Sequence, residues 1–152
     1  MSKNIPKTEL LYQKSKPIDH LSLLDGLTLM IKEQKDAALE VKRSIKSIER
    51  AIEAIYKHLT LNSKGRLIYV GAGTSGRIGV QDGVELFPTF NWPKERLDFI
   101  IAGGINALLN AIENAEDDTY SAEKIVENKL ISHEDVVIGV AASGNTPFTC
   151  TV

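Results

Sequence analysis

The chain has 152 residues, 43% hydrophobic and 25% charged, with a formal net charge of −2. That composition suits one soluble domain with a real core and offers no broad positive field for nucleic acid. Its one cysteine, Cys150, excludes a disulfide framework and a cysteine metal site, and His20, His58 and His133 lack metal-ligand spacing.

Residues 1–18 are lysine-rich, contain Pro6 and Pro17, and read as an extended arm without the apolar core of a signal peptide. No run of about 18 apolar residues suggests a membrane span, so a cytoplasmic protein is expected. "SLLD" at 22–25 resembles a capping box that opens a helix. The helical pattern continues to about Leu59, with a break expected near Met30–Glu33. Ala38, Val41, Ile45, Ile48, Ile52, Ile55 and Leu59 recur every three or four residues and form one apolar stripe. Such a stripe suits a partner helix across a dimer interface or the chain's own core.

The texture changes after the turn "LNSKG" at 61–65. "RLIYV" (66–70) predicts a strand, and "GAGTSGRIGVQDGVEL" a loop that enters a helix. "RLDFIIAGG" (96–104) predicts a second strand. "NALLNAIENAEDD" (106–118) predicts a helix with Ala107, Leu108, Ala111, Ile112 and Ala115 on one face. "SAEKIVENKL" (121–130) predicts another, with Ser121 as its N-cap. "DVVIGVAASGNTP" (135–147) is a third strand running into a second Ser/Gly/Thr loop. Strands alternating with helices imply an α/β fold whose parallel sheet is covered on both faces. The expected division is an arm and helices over 1–60 and the α/β domain over 61–152. Residues 1–60 hold 11 Lys/Arg and 8 Asp/Glu, and the rest hold 7 and 12. A phosphate bound in the acidic second part must therefore be held by local donors.

"GAGTSGR" (71–77) admits three ligands. It fits the glycines of a dinucleotide fingerprint, but the second strand ends Ile101-Ala102-Gly103-Gly104, without the acidic residue that would bind ribose. It also fits the glycines of a P-loop, but Arg77 and Ile78 stand where Lys and Ser/Thr are needed. The third ligand is a phosphate monoester. Gly73, Thr74, Ser75 and Gly76 would offer hydroxyls beside the free N–H groups of a helix N-terminus. Ser143, Gly144, Asn145 and Thr146 repeat that chemistry at another strand end, where two such loops can face one crevice. Tight turns without a ligand are the plain alternative.

Two carboxylate positions follow. Glu85 has Leu86, Phe87, Pro88 and Phe90 beside it, surroundings that suit a general acid or base. "ENAEDD" (113–118) supplies a cluster in which Glu113 and Glu116 are i, i+3 neighbours, though an acidic run at a helix end is commonly a solvated face.

In this order and at these intervals, "TEL", "GRLIYVGAGTSGRIGVQDGVELFPTF", "IAGG", "NAIENAEDD" and "GVAASGNTP" resemble the N-acetylmuramic acid 6-phosphate etherases, which have the sugar isomerase (SIS) phosphosugar-binding fold. The resemblance runs from about Thr8 to Pro147 and covers about the N-terminal half of that family's length. It implies part of a three-layer parallel sheet of the SIS type, preceded by helices, and a homodimer. The implied substrate is a small sugar phosphate, bound by the two hydroxyl-rich loops without metal or nucleotide cofactor. The implied reaction cleaves the D-lactyl ether by elimination followed by hydration, with Glu116 as base at C2 and Glu85 as the acid assisting lactate departure. This chain reads "DGVELFPTF" where the family usually reads "DASECPPTF". A non-catalytic phosphosugar sensor and a sugar-phosphate isomerase are the alternative functions.

Overall fold

The computed structural model describes residues 16–152. "TEL" and most of the expected arm lie outside the described residues. The chain divides into two compact units, Met1–Tyr56 and Lys57–Val152. Among the described residues no helix is long and apolar enough to cross a membrane.

The first unit is built on α1 (Leu23–Arg43) and most of α2 (Ile45–Leu61). Ser22 caps α1: its hydroxyl accepts from the Asp25 N–H at 3.1 Å and donates to the Asp25 carboxylate at 2.6 Å. The break expected near Met30–Glu33 does not occur there. That stretch is made mostly of good helix formers, and the Lys32–Asp36 ion pair at 3.0 Å ties its end to the next turn. The helix is interrupted instead at Ser44 (φ −91°, ψ 0°), a residue type whose side chain competes for backbone hydrogen bonds.

The second unit is a parallel sheet of β1 (Leu67–Gly71), β2 (Leu97–Ile101) and β3 (Val136–Val140), in the order β2-β1-β3. Leu67 aligns with Leu97 on one side and Val136 on the other. β1 is the middle strand, and every residue in it is buried. One face of the sheet is covered by α3 (Gly73–Val84), which lies on Tyr69, Phe99 and Val140 and is followed by the short α4 (Leu86–Phe90). The opposite face packs Ile68, Val70, Ile100 and Ala102 against Ala122 of α5 (Thr119–Asn128) and Phe148 of α6 (Pro147–Thr151). These make the three layers. β3 alternates half-buried and exposed positions, and among the described residues no strand pairs with its outer edge.

Glycine decides how closely α3 approaches the sheet. A Cβ on Gly76 would stand 2.9 Å from the Gly71 carbonyl, and one on Gly83 would stand 2.5 Å from the Phe99 ring. Tyr69 ties the same pair of elements, donating its hydroxyl to Asp82 at 2.8 Å. Burial and that hydrogen bond push its phenol up to about 12.

Polar side chains fix the amino ends of the strands. Arg66, just before β1, holds the Asp135 carboxylate before β3, while Lys129 holds Asp98 of β2 at 2.7 and 2.8 Å. Arg96 donates to the carbonyls of Leu59, Asn62 and Gly65, closing the carboxyl end of α2.

Two expectations need correction. Residues 106–118 do not form a helix. They make a 3-10 turn at Ile105–Leu108, an irregular stretch, and a second 3-10 turn at Ala115–Asp117 entered through left-handed Asn114 (φ 60°). The apolar periodicity was real, but Asn110 and Asn114 favour turns, and left-handed Asn114 interrupts helical winding. The N-cap of α5 is Asp118 rather than Ser121: its carboxylate accepts the Ser121 N–H at 2.9 Å.

Candidate active site

β1 ends in Gly71, Ala72 is extended, and α3 starts at Gly73, whose φ of +52° suits a residue without a side chain. The first intrahelical bond runs from the Gly76 N–H to the Ala72 carbonyl at 3.0 Å. The amides of Gly73, Thr74 and Ser75 therefore have no partner in the helix, which makes this end of α3 suited to an anion.

A cavity of about 250 Å³ opens here. Ala72, Gly73, Thr74 and Arg77 form one wall, and residues 110–116, including Glu113 and Glu116, form the other. Ser75 and Gly76 do not line it: Ser75 is half-buried, and Gly76 is the packing contact with Gly71. Of the first loop's four candidates, Gly73 and Thr74 reach the cavity.

The second loop lines none of it. Gly144 takes φ +68°, the Ser143 hydroxyl accepts the Asn145 N–H at 3.2 Å, and Thr146 precedes Pro147 at the start of α6. The loop nevertheless leaves β3 beside the end of β1, its hydrogen-bonded neighbour. The chain passes from β1 to β2 on one side and then crosses to β3 on the other, so these two strand ends flank the topological switch point where ligands bind such sheets.

The two glutamates are not brought together. Glu116 sits in the turn Ala115–Asp117 on the cavity wall, exposed to solvent. Glu85 is the C-cap of α3, at the far end from Thr74, a separation of roughly 16 Å along the axis at about 1.5 Å per residue. The apolar shelter expected around it is absent, because Val84, Phe87 and Phe90 are themselves exposed.

Arg77 is the residue the sequence reading undervalued. Its Nε donates to the Ala107 carbonyl and its Nη2 to the Asn110 carbonyl, both at 2.9 Å, tying α3 to the loop that carries Glu116. Its place at the end of "GAGTSGR" was the available signal. The role needs free carbonyls opposite, which a helix over 106–118 would have hidden.

A cleft of donors at a strand end, on glycine-packed α/β architecture, also matches a known family by sequence. The model of the glucokinase regulatory protein N-terminal SIS domain matches residues 47–152. The chain belongs to this SIS-domain family. Similar curated SIS relatives are named N-acetylmuramic acid 6-phosphate etherase. The one from Pasteurella multocida (strain Pm70) is 44% identical over 131 residues, 86% of this chain and 43% of the relative. Those from Psychromonas ingrahamii and Oenococcus oeni are 43% and 41% identical over 141 residues, 93% of this chain and 46% and 47% of the relatives. The SIS chain thus spans a little under half the length of these curated relatives.

Proposed function

We propose that the chain supplies the phosphosugar-binding half of an N-acetylmuramic acid 6-phosphate etherase, a carbon–oxygen lyase of peptidoglycan recycling. One observation carries this reading beyond the resemblance: the amino end of α3 at Gly73 and Thr74 lines one cavity, of about 250 Å³, together with Glu116. Residues 61–152 hold the substrate. The 6-phosphate docks on Gly73 and Thr74, the two residues of the first loop that line the cavity, and the loop 143–146 stands at the neighbouring strand end.

In the open-chain sugar the aldehyde acidifies the C2 hydrogen. Glu116 takes that proton, and the electron pair left on C2 expels lactate from C3. The resemblance gives Glu85 the proton for the departing oxygen, a role that requires Glu85, at the far end of α3 from Thr74, to be brought to the sugar; water then adds across the C2–C3 double bond, giving N-acetylglucosamine 6-phosphate and D-lactate. The protein acts as a cytoplasmic homodimer.

A second reading, a sugar-phosphate sensor without catalysis, is favoured by the separation of Glu85 from the Thr74 end of α3. Incubation with N-acetylmuramic acid 6-phosphate and an assay of free D-lactate decides between them. Lactate release supports the etherase, binding without release supports the sensor, and conversion of an aldose to a ketose phosphate supports an isomerase.

A further inference from the structure

Arg77 carries a charge that the fold does not use. Its Nε and Nη2 donate to the carbonyls of Ala107 and Asn110, both at 2.9 Å. Those bonds take two of the five N–H groups of the guanidinium and leave its charge unmatched, because a carbonyl carries no net charge. Among the described residues Arg77 forms no ion pair. Arg66, by contrast, has Asp135 at 2.8 Å and Asp98 at 3.7 Å. Arg77 is half-buried, held by two bonds, and lines the cavity at the amino end of α3. Three N–H donors and a full positive charge are left over at that wall.

The rest of the wall says what would take them. Arg77 is the only cationic residue lining the cavity, and Glu113 and Glu116 line it too. A carboxylate entering beside two others is repelled unless a cation receives it. The phosphate proposed above has its own donors one turn earlier, at Gly73 and Thr74. The proposed substrate has a second anion, the carboxylate of its lactyl arm. We infer that Arg77 is the ligand of that carboxylate, and so the residue that tells the lactyl sugar from the same sugar phosphate without it. A planar guanidinium presents paired N–H groups that match a carboxylate. The arm hangs from C3, next to the C2 that Glu116 is proposed to deprotonate, and Arg77 is bonded to the loop that leads to Glu116. The inference rests on the etherase substrate proposed above and adds the recognition of its second charge.

Calorimetric titration of the full chain tests it with three open-chain sugars. They are N-acetylglucosamine 6-phosphate, N-acetylmuramic acid 6-phosphate, and the latter with its lactyl carboxylate converted to an amide. Each is reduced at C1, so that no aldehyde acidifies C2 and no lactate leaves. The acid is expected to bind the wild type about tenfold tighter than its amide. Arg77→Gln should abolish that preference, and the comparison cancels any change in the affinity that both sugars owe to the phosphate. Arg77→Lys, the gentler change, keeps the charge without the planar fork and should lower the preference by about threefold or more. Equal binding of acid and amide by the wild type overturns the inference, as does an undiminished preference in either variant. If none of the three sugars binds, the phosphosugar reading falls and this inference with it. If all three bind without a difference between acid and amide, the inference alone falls.

Discussion

Arg66 holds Asp135 in a two-pronged grip, Nε to Oδ1 at 3.0 Å and Nη2 to Oδ2 at 2.8 Å, and so pins the start of β1 to the start of β3. The Asp135 side chain is only 4% exposed, and it also accepts the N–H groups of Arg66 and Ser132. The Arg66 hydrogen bonds outweigh burial and hold its carboxyl well below the ordinary value of 3.8.

A depressed carboxyl stabilises the fold fully above its unfolded value. The contribution is lost as pH falls below 3.8 toward the folded value. Asp135→Asn is expected to cost about 2–4 kcal/mol at neutral pH, by leaving Arg66 with only the longer pairing to Asp98 at 3.7 Å. The gap between variant and wild type should narrow in acid. Urea denaturation at neutral and acid pH measures both effects.

Gly76→Ala is expected to destabilise by about 1–3 kcal/mol or more, because the added carbon meets backbone at 2.9 Å and neither element can yield cheaply. Gly73→Ala meets open space and bears only the strain of φ +52°, about 1–2 kcal/mol. Thermal melts of the two variants should rank them in that order.

Thr74→Ala is expected to weaken binding of the 6-phosphate sugar by about 1–3 kcal/mol, the loss of one charge-assisted hydrogen bond. Ser75→Ala should cost less, since Ser75 does not line the cavity. Calorimetric titration of both variants compares them, and equal losses would move the phosphate toward Ser75.

The glutamates should separate by isotope exchange in an active enzyme. Glu116→Gln is expected to abolish exchange of the C2 hydrogen with deuterated solvent. Glu85→Gln should stop lactate release while exchange continues. Proton NMR of the sugar in deuterium oxide reads the first effect and a lactate assay the second, and the reverse pattern would exchange the roles.

The sheet was legible because its signals are local. Apolar runs flanked by glycine marked three strands to within a few residues, and "GAGTSG" marked the turn into α3. The loop 105–116 was not legible: its apolar spacing imitates a helix, and only Arg77, more than two turns of helix away from Glu85 and 30 residues before Ala107, shows what its carbonyls are for. Glycine likewise carried two meanings that sequence cannot separate. Gly73 opens the turn into α3 at φ +52°, whereas Gly76 and Gly83 bring a helix close to a sheet. The environment of Glu85 was misread because apolar neighbours in sequence need not bury anything.

The central position of β1 sets a timetable for folding. Leu67 is made first, yet its partner Leu97 follows 30 residues later and its partner Val136 follows 69 residues later. Until then the most buried strand of the domain has no place to go, and pairings this distant are slow to close. During synthesis the β1–β2 pair with α3 is the earliest unit that can assemble, and β3 must arrive against a half already formed. A nascent chain halted before residue 136 would present the flank of β1 uncovered, the kind of strand edge that invites association.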